Sequence, residues 1–273
     1  MCKKQQVNSA VRHKVRHLLS CYPYFVELSV PGITMEKSNT TKYGKIISKS
    51  SLLTSGSPAV YQLRPNKETF ESLTRLTVGE KNLKNKNKTI LLVGETGTGK
   101  STLINTLVNY TMGVKFEDNI WFEIVESERR SQSESQTSDV VVYEIFGFDD
   151  KTVPFSLTII DTPGYGDTRG IDLDVIVSQR LFDLFRSENG VREVDAVGLV
   201  MKASENRVSD RLRYIFDSVM SLFGKDLEKN IVALITHSDG ATPINVLKAL
   251  DASKKRPGEE NHCPHHTLRW SFS

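Results

Sequence analysis

The chain has 273 residues, room for one sizeable domain plus an extension. With 38% hydrophobic and 25% charged residues its composition is that of an ordinary globular protein; no apolar run is long enough to span a membrane, and the start Met1-Cys2-Lys3-Lys4-Gln5 lacks the apolar centre of a secretion signal. The net charge of +3 conceals an imbalance, because residues 1–88 carry 16 Lys/Arg against 5 Asp/Glu and the remainder carries 20 against 28.

Residue 2 is not glycine and the last residues form no prenylation box, so neither end signals a lipid anchor. Cys2, Cys21 and Cys263 are few and scattered, which fits reduced thiols and predicts a cytoplasmic protein. Contact with an acidic membrane surface or with nucleic acid is the sharper reading of the basic arm. A solvated, flexible lead-in is the commoner one.

Residues 1–87 read as a basic N-terminal extension and linker. Val11–Leu19 is a short basic helix candidate, and Phe25–Val30 and Gly44–Leu53 are β-prone fragments. The lysine- and asparagine-rich run Glu80–Lys88 reads as the linker into the next domain. From there strands and helices alternate in the manner of a parallel sheet.

Strand 89–94 runs into Gly94-Glu95-Thr96-Gly97-Thr98-Gly99-Lys100-Ser101, and a helix follows over about 100–110. This is G-x-x-x-x-G-K-S in its strand–loop–helix setting. Glycines let the backbone wrap a phosphate and aim N–H groups inward, at the positive end of the helix. Lys100 is placed to reach the β- and γ-phosphates, and the Ser101 hydroxyl to ligate Mg²⁺, with Thr102 opening the helix beside it. The spacing predicts a nucleoside triphosphate site.

Residues 121–128 offer another strand, and the polar run Ser131–Gln136 reads as mobile. Strands Val140–Phe146 and Phe155–Ile160 come next. The second ends in Asp161-Thr162-Pro163-Gly164, where a carboxylate is placed to hold Mg²⁺ through water. Gly164, without a Cβ, can bring its N–H to the γ-phosphate. A helix over about 171–187 is expected to bury Ile171, Val175, Leu181 and Phe185. Strand Val197–Met201, a helix over about 205–223 and strand Ile231–Ile235 follow, and Thr242-Pro243 opens a last short helix.

The continuous run Asp161-Thr162-Pro163-Gly164-Tyr165-Gly166-Asp167 most resembles septins and the immunity-associated (AIG-type) GTPases. Joined to Gly94–Leu107, the likeness covers roughly residues 88–253. It implies an α/β GTPase fold, a three-layer sandwich around a mostly parallel sheet, that binds GTP or GDP with Mg²⁺. A switch or nucleotide-controlled assembly role, and pairing of G domains into homodimers or oligomers, follow from the same likeness.

GTPases carry [N/T]-K-x-D after the strand at 231–235, and here Thr236-His237-Ser238-Asp239 stands. Asp239 matches the aspartate that takes both guanine N–H groups, or else caps the next turn. His237 replaces the usual lysine, and its ring can stack on the base instead. The switch threonine that closes on Mg²⁺ is best matched by Thr137, with Ser133, Ser135 and Ser138 as competitors. No residue is assigned as catalytic: Tyr165 stands where Ras-like enzymes place a water-orienting glutamine. Arg169 reads as a surface arginine. Slow GTP turnover, completed by a second protomer, is what the resemblance implies.

Residues 254–273 read as a polar tail, and His262-Cys263-Pro264-His265-His266 in it matches no standard zinc spacing. A Ras-like domain needs one more strand and a helix after 253, so the domain is expected to be incomplete there. Strand Ile231–Ile235 would then be an unguarded apolar edge that drives association. The rival readings are an ATP-using P-loop enzyme and a truncated, non-catalytic interaction protein.

Overall fold

The computed structural model describes residues 42–70, 73–81, 85–126, 139–146, 154–164, 171–205, 221, 230–239, 242–253 and 269–272. Outside them lie the expected elements at 11–19 and 25–30, the run 131–136, Thr137 and its serine competitors, Tyr165–Gly170, and nearly all of the helix at 205–223.

In chain order the described elements are helix α1 (Gly44–Ile47) and strands β1 (Ser51–Thr54), β2 (Ala59–Gln62), β3 (Asn66–Phe70), β4 (Leu73–Val78) and β5 (Asn87–Val93). Helix α2 (Lys100–Met112), β6 (Ile120–Glu123), β7 (Val141–Ile145) and β8 (Ser156–Asp161) follow. Helix α3 (Ile171–Arg186), β9 (Ala196–Lys202), β10 (Ile231–Thr236), α4 (Ile244–Ser253) and β11 (Arg269–Phe272) complete the set. Eight strands form one sheet in the order β11-β10-β9-β5-β8-β7-β4-β3, and β1, β2 and β6 form a smaller sheet. In the large sheet only β7 with β8 and β3 with β4 run antiparallel. The expected mostly parallel α/β architecture is what the chain adopts.

Strand alternation divides the core between the two faces of the large sheet. Leu91 and Val93 of β5, Val197, Leu199 and Met201 of β9, and Ile231, Ala233 and Ile235 of β10 pack with Val177, Leu181 and Leu184 of α3 and Val246 and Leu250 of α4. Leu92, Val200, Val232 and Leu234 point the other way, toward Ile104, Leu107, Val108 and Met112 of α2. Strands buried on both faces are why these segments read as unbroken apolar runs rather than alternating ones.

Three expectations need correction. First, β3 and β4 lie upstream of residue 87 yet extend the large sheet, β4 pairing in parallel with β7. Tyr43 is buried as well, and its hydroxyl donates to the Gly113 carbonyl at the end of α2 (2.7 Å). The chain from residue 42 is therefore built into the domain, and Gly44–Ile47 is a helical turn rather than strand. Second, β10 is not an edge: β11 pairs with it in parallel over Val232–Ile235, so β10 presents no bare apolar edge for association. Third, Val175 of α3 is 58% exposed, and the buried stripe is Val177, Leu181 and Leu184.

Candidate nucleotide site

Strands β5, β8, β9 and β10 run parallel, so their C-terminal ends meet at one edge of the sheet. Ligands of open α/β sheets bind at that edge. Here it gathers the loop Gly94–Ser101 after β5, Asp161–Gly164 at the end of β8, Lys202 at the end of β9 and Thr236–Asp239 after β10.

The loop requires its glycines. Gly97 and Gly99 hold φ of 78° and 87°, left-handed values that side chains disfavour. A methyl group at Gly94 would lie 2.5 Å from the Val200 carbonyl oxygen, so the loop starts pressed against β9. At Gly164 it would lie 2.3 Å from Thr96 Oγ1 and 2.7 Å from Thr96 Cα. Two strand ends thus touch the same loop, and the Thr96 hydroxyl fastens one of them by donating to the Gly164 carbonyl (3.2 Å).

The loop is held on its third side by β10. Thr236 Oγ1 donates to the Thr98 carbonyl at 2.6 Å, with the Met201 carbonyl 3.1 Å away as a second acceptor. Thr98 is itself buried, its hydroxyl bonded to the Glu95 carbonyl (2.8 Å). Thr162, following Asp161, donates to the Leu92 carbonyl in β5 (3.0 Å). These bonds fix phosphate loop, β8 turn and β10 loop as one frame.

Lys100 is buried, and its Nζ donates to the carbonyls of Gly94 (2.8 Å) and Glu95 (3.2 Å). The loop curls around the ammonium because those carbonyls face inward and replace its water. Burial pushes the Lys100 amine below its ordinary range, while the negative charges of Asp161 and Glu95 act against the fall. Asp161 is fully buried at the end of β8, close enough to Lys100 for that coupling to be felt.

Ser101 is half-buried at the start of α2, and Thr102 beside it is exposed. His237 and Asp239 are exposed on the loop after β10. The His237 backbone is left-handed (φ 52°), and its Nε2 comes within 3.6 Å of where a Gly99 methyl would be. The imidazole therefore lies against the phosphate loop.

Buried amides of α2 carry order beyond the loop. Asn105 Oδ1 accepts from the backbone N–H groups of Ile124 (3.0 Å) and Val125 (3.1 Å). Asn109 brackets Phe122, accepting from its N–H (2.9 Å) and donating to its carbonyl (2.6 Å). The helix that begins at Lys100 thereby anchors β6, which leads toward the segment holding Thr137. The two asparagines recur at a helical spacing of four, but nothing in that spacing reveals the strand they bind.

Sequence reasoning also left Lys202 and Glu205 unassigned. The Lys202 backbone N–H donates to Glu205 Oε1 (3.1 Å). Burial pushes the Glu205 carboxyl up, the hydrogen bond from Lys202 pulls it back, and the charge of Glu95 adds to the rise. A folded-state value above the unfolded one means the ionised form opposes folding above it. That penalty fades as pH falls through the folded value and is gone below the ordinary 4.5. Glu205→Gln, which keeps an acceptor for the Lys202 N–H, should therefore raise the melting temperature at neutral pH. The gain should vanish on titration below pH 4.5; a gain independent of pH would contradict the assignment.

The fold and the loop define a P-loop nucleotide-binding domain. A family model described as Septin matches residues 84–175. Among curated proteins the chain is 26% identical over 196 residues to GTP-binding protein A of Dictyostelium discoideum, covering 71% of this chain and 37% of that protein. It is 28% identical over 176 residues to Septin-5 of Mus musculus, covering 60% and 43%. The chain thus spans less than half the length of these relatives. Toc33 from Arabidopsis thaliana in complex with GDP and Mg²⁺ is a structural neighbour at a TM-score of 0.41 and 17% identity, over 68% of this chain and 71% of that one. The chain is thus similar to septin-type P-loop GTPase G domains over its phosphate loop and the strands that follow it.

Among the described residues no helix is long and apolar enough to cross a membrane.

Proposed function

We propose that this domain binds GTP and GDP with Mg²⁺, turns GTP over slowly, and acts as a nucleotide-controlled switch or assembly unit. The observation that carries the reading is the convergence of the phosphate loop, Asp161–Gly164 and Thr236–Asp239 at one sheet edge, tied together through Thr96 and Thr236.

In this reading the N–H groups of Gly94–Ser101 cradle the phosphates. Lys100 exchanges its two carbonyl partners for phosphate oxygens, a stronger pairing because both partners are charged. The residues present fit a hard cation: a hydroxyl from Ser101, a buried carboxylate from Asp161, and Thr137 as the proposed third ligand. Mg²⁺ held there neutralises phosphate charge. Gly164 brings its N–H to the γ-phosphate. His237 packs beside the base and Asp239 reads guanine. No side chain is assigned to activate water, which is why turnover is slow, and pairing of two G domains is the proposed route to completing the site.

Guanine selection tests the reading. Asp239→Asn removes the carboxylate that receives two guanine donors, a loss of about 1.5–3 kcal/mol, or roughly ten- to hundredfold in affinity. GTP binding should weaken by that factor while xanthosine triphosphate, competed against it, gains. Unchanged GTP affinity in the variant would remove Asp239 from the base site.

A further inference from the structure

We infer that Lys202 is a second cation of the polyphosphate site, reaching the loop from β9 on a different flank from Lys100. This rests on the nucleotide-binding reading above and adds to it a contact residue that no motif marks.

Lys202 is the last residue of β9 and sits directly across the ladder from Thr236 of β10. Its Nζ comes within 3.7 Å of where a methyl on Gly97 would stand, at the middle of the phosphate loop. Lys100 lies elsewhere, against the carbonyls of Gly94 and Glu95. Two ammonium groups thus meet at one eight-residue loop, Lys100 from within it at the start of α2 and Lys202 from the end of β9.

The backbone around Lys202 is fixed. Its N–H is held by Glu205 Oε1 (3.1 Å), and the next residue, Ala203, donates its N–H to the Thr236 carbonyl (2.8 Å). Its side chain is half-buried, so the long stem has support while the ammonium stays at the loop surface. A lysine is a compact charge on a flexible stem, able to follow a phosphate without the fixed geometry of a guanidinium. Glu205, which holds the backbone N–H, also feels the charges of Glu95 and of Lys202 itself.

The position answers a question raised by the base-reading loop. His237 occupies the place where a lysine is usual, which leaves that loop without its cation. Lys202 stands one ladder step away from His237, across from Thr236, and returns a positive charge to the junction of phosphate loop and base loop.

The test uses the full chain and three proteins: parent, Lys202→Met and Lys202→Arg. GTP and GDP affinities are measured by calorimetry with Mg²⁺ at low and at moderate salt, alongside melting temperatures without nucleotide. Lys202→Met should bind both nucleotides about tenfold more weakly, and its affinity should fall less steeply with salt, since one charge pair is gone. Lys202→Arg should stay within about threefold of the parent. A purely structural role would shift melting and leave the salt dependence untouched. If Lys202→Met fails to fold, Lys202→Gln is judged by the same criteria. A methionine variant within twofold of a parent that binds would overturn the role of Lys202 alone. A parent that binds neither nucleotide overturns the proposed function and this inference with it.

Discussion

Replacing Lys100 with alanine should abolish measurable GTP binding while the domain remains folded. The side chain is the interior cation of the loop, and its phosphate contact would be charge-assisted, worth about 1.5–3 kcal/mol for a single bond and more where two oxygens are shared. A hundredfold or greater loss is therefore expected. Stability should respond far less. Burial disfavours the charged amine, as its lowered pKa records, so truncation removes a desolvation cost together with the bonds to Gly94 and Glu95. Those two effects oppose each other, and the melting temperature should move by only a few degrees. A variant that binds GTP as tightly as the parent would mean the loop is not a phosphate site.

Gly164→Ala should damage both binding and stability. The added methyl would lie 2.3 Å from Thr96 Oγ1, 2.7 Å from Thr96 Cα and 2.9 Å from Thr96 N. A rotamer change relieves the first contact only, because the other two are backbone. The phosphate loop must move away from β8, which costs about 1–3 kcal/mol as other overpacked sites do. The shift also withdraws the Gly164 N–H from the γ-phosphate position, so GTP should lose more affinity than GDP. Adding Thr96→Gly should not rescue the variant, since Cα and N stay in the way. Parent-like melting with an unchanged GTP-to-GDP ratio would refute this geometry.

Local signals made the phosphate-loop region legible in the sequence before its contacts were. The strand before the loop, the glycines and the helix after it are specified within a dozen consecutive residues, and β5, the loop and α2 formed where the pattern placed them. The strands at 141–145, 156–161, 196–202 and 231–236 were equally legible, because apolar runs buried on both faces are local signals. Pairing partners are not local. Residues 269–272, Arg-Trp-Ser-Phe, do alternate polar with apolar, but four residues are too short a run to mark a strand, and their parallel register with β10 is what identifies them. The same is true of β3 and β4, whose place in the sheet depends on β7, more than sixty residues on.

Helix phase failed for a related reason. Val175, Ile176 and Val177 are consecutive apolar residues, so spacing alone admits more than one inward face. The sheet beneath α3 selects Val177, and Val175 and Ile176 stay exposed. Within the site, residue types were readable but their contacts were not. Thr236 was visible in the base-reading motif, yet its bond to Thr98 joins residues 138 positions apart. The sequence pattern proposes Lys100 as a phosphate ligand, but its burial follows from inward-facing carbonyls that no sequence pattern displays.

In the proposed reading the edge of the sheet recognises a guanine nucleotide through its phosphates and its base together. Calorimetric titration of the full chain with GTP, GDP and ATP, each with and without Mg²⁺, tests it most directly. GTP and GDP should bind, GTP more tightly when Mg²⁺ is present, and ATP should be weaker than GTP by at least tenfold. Equal affinity for ATP and GTP, or no binding of any of the three, would contradict the account.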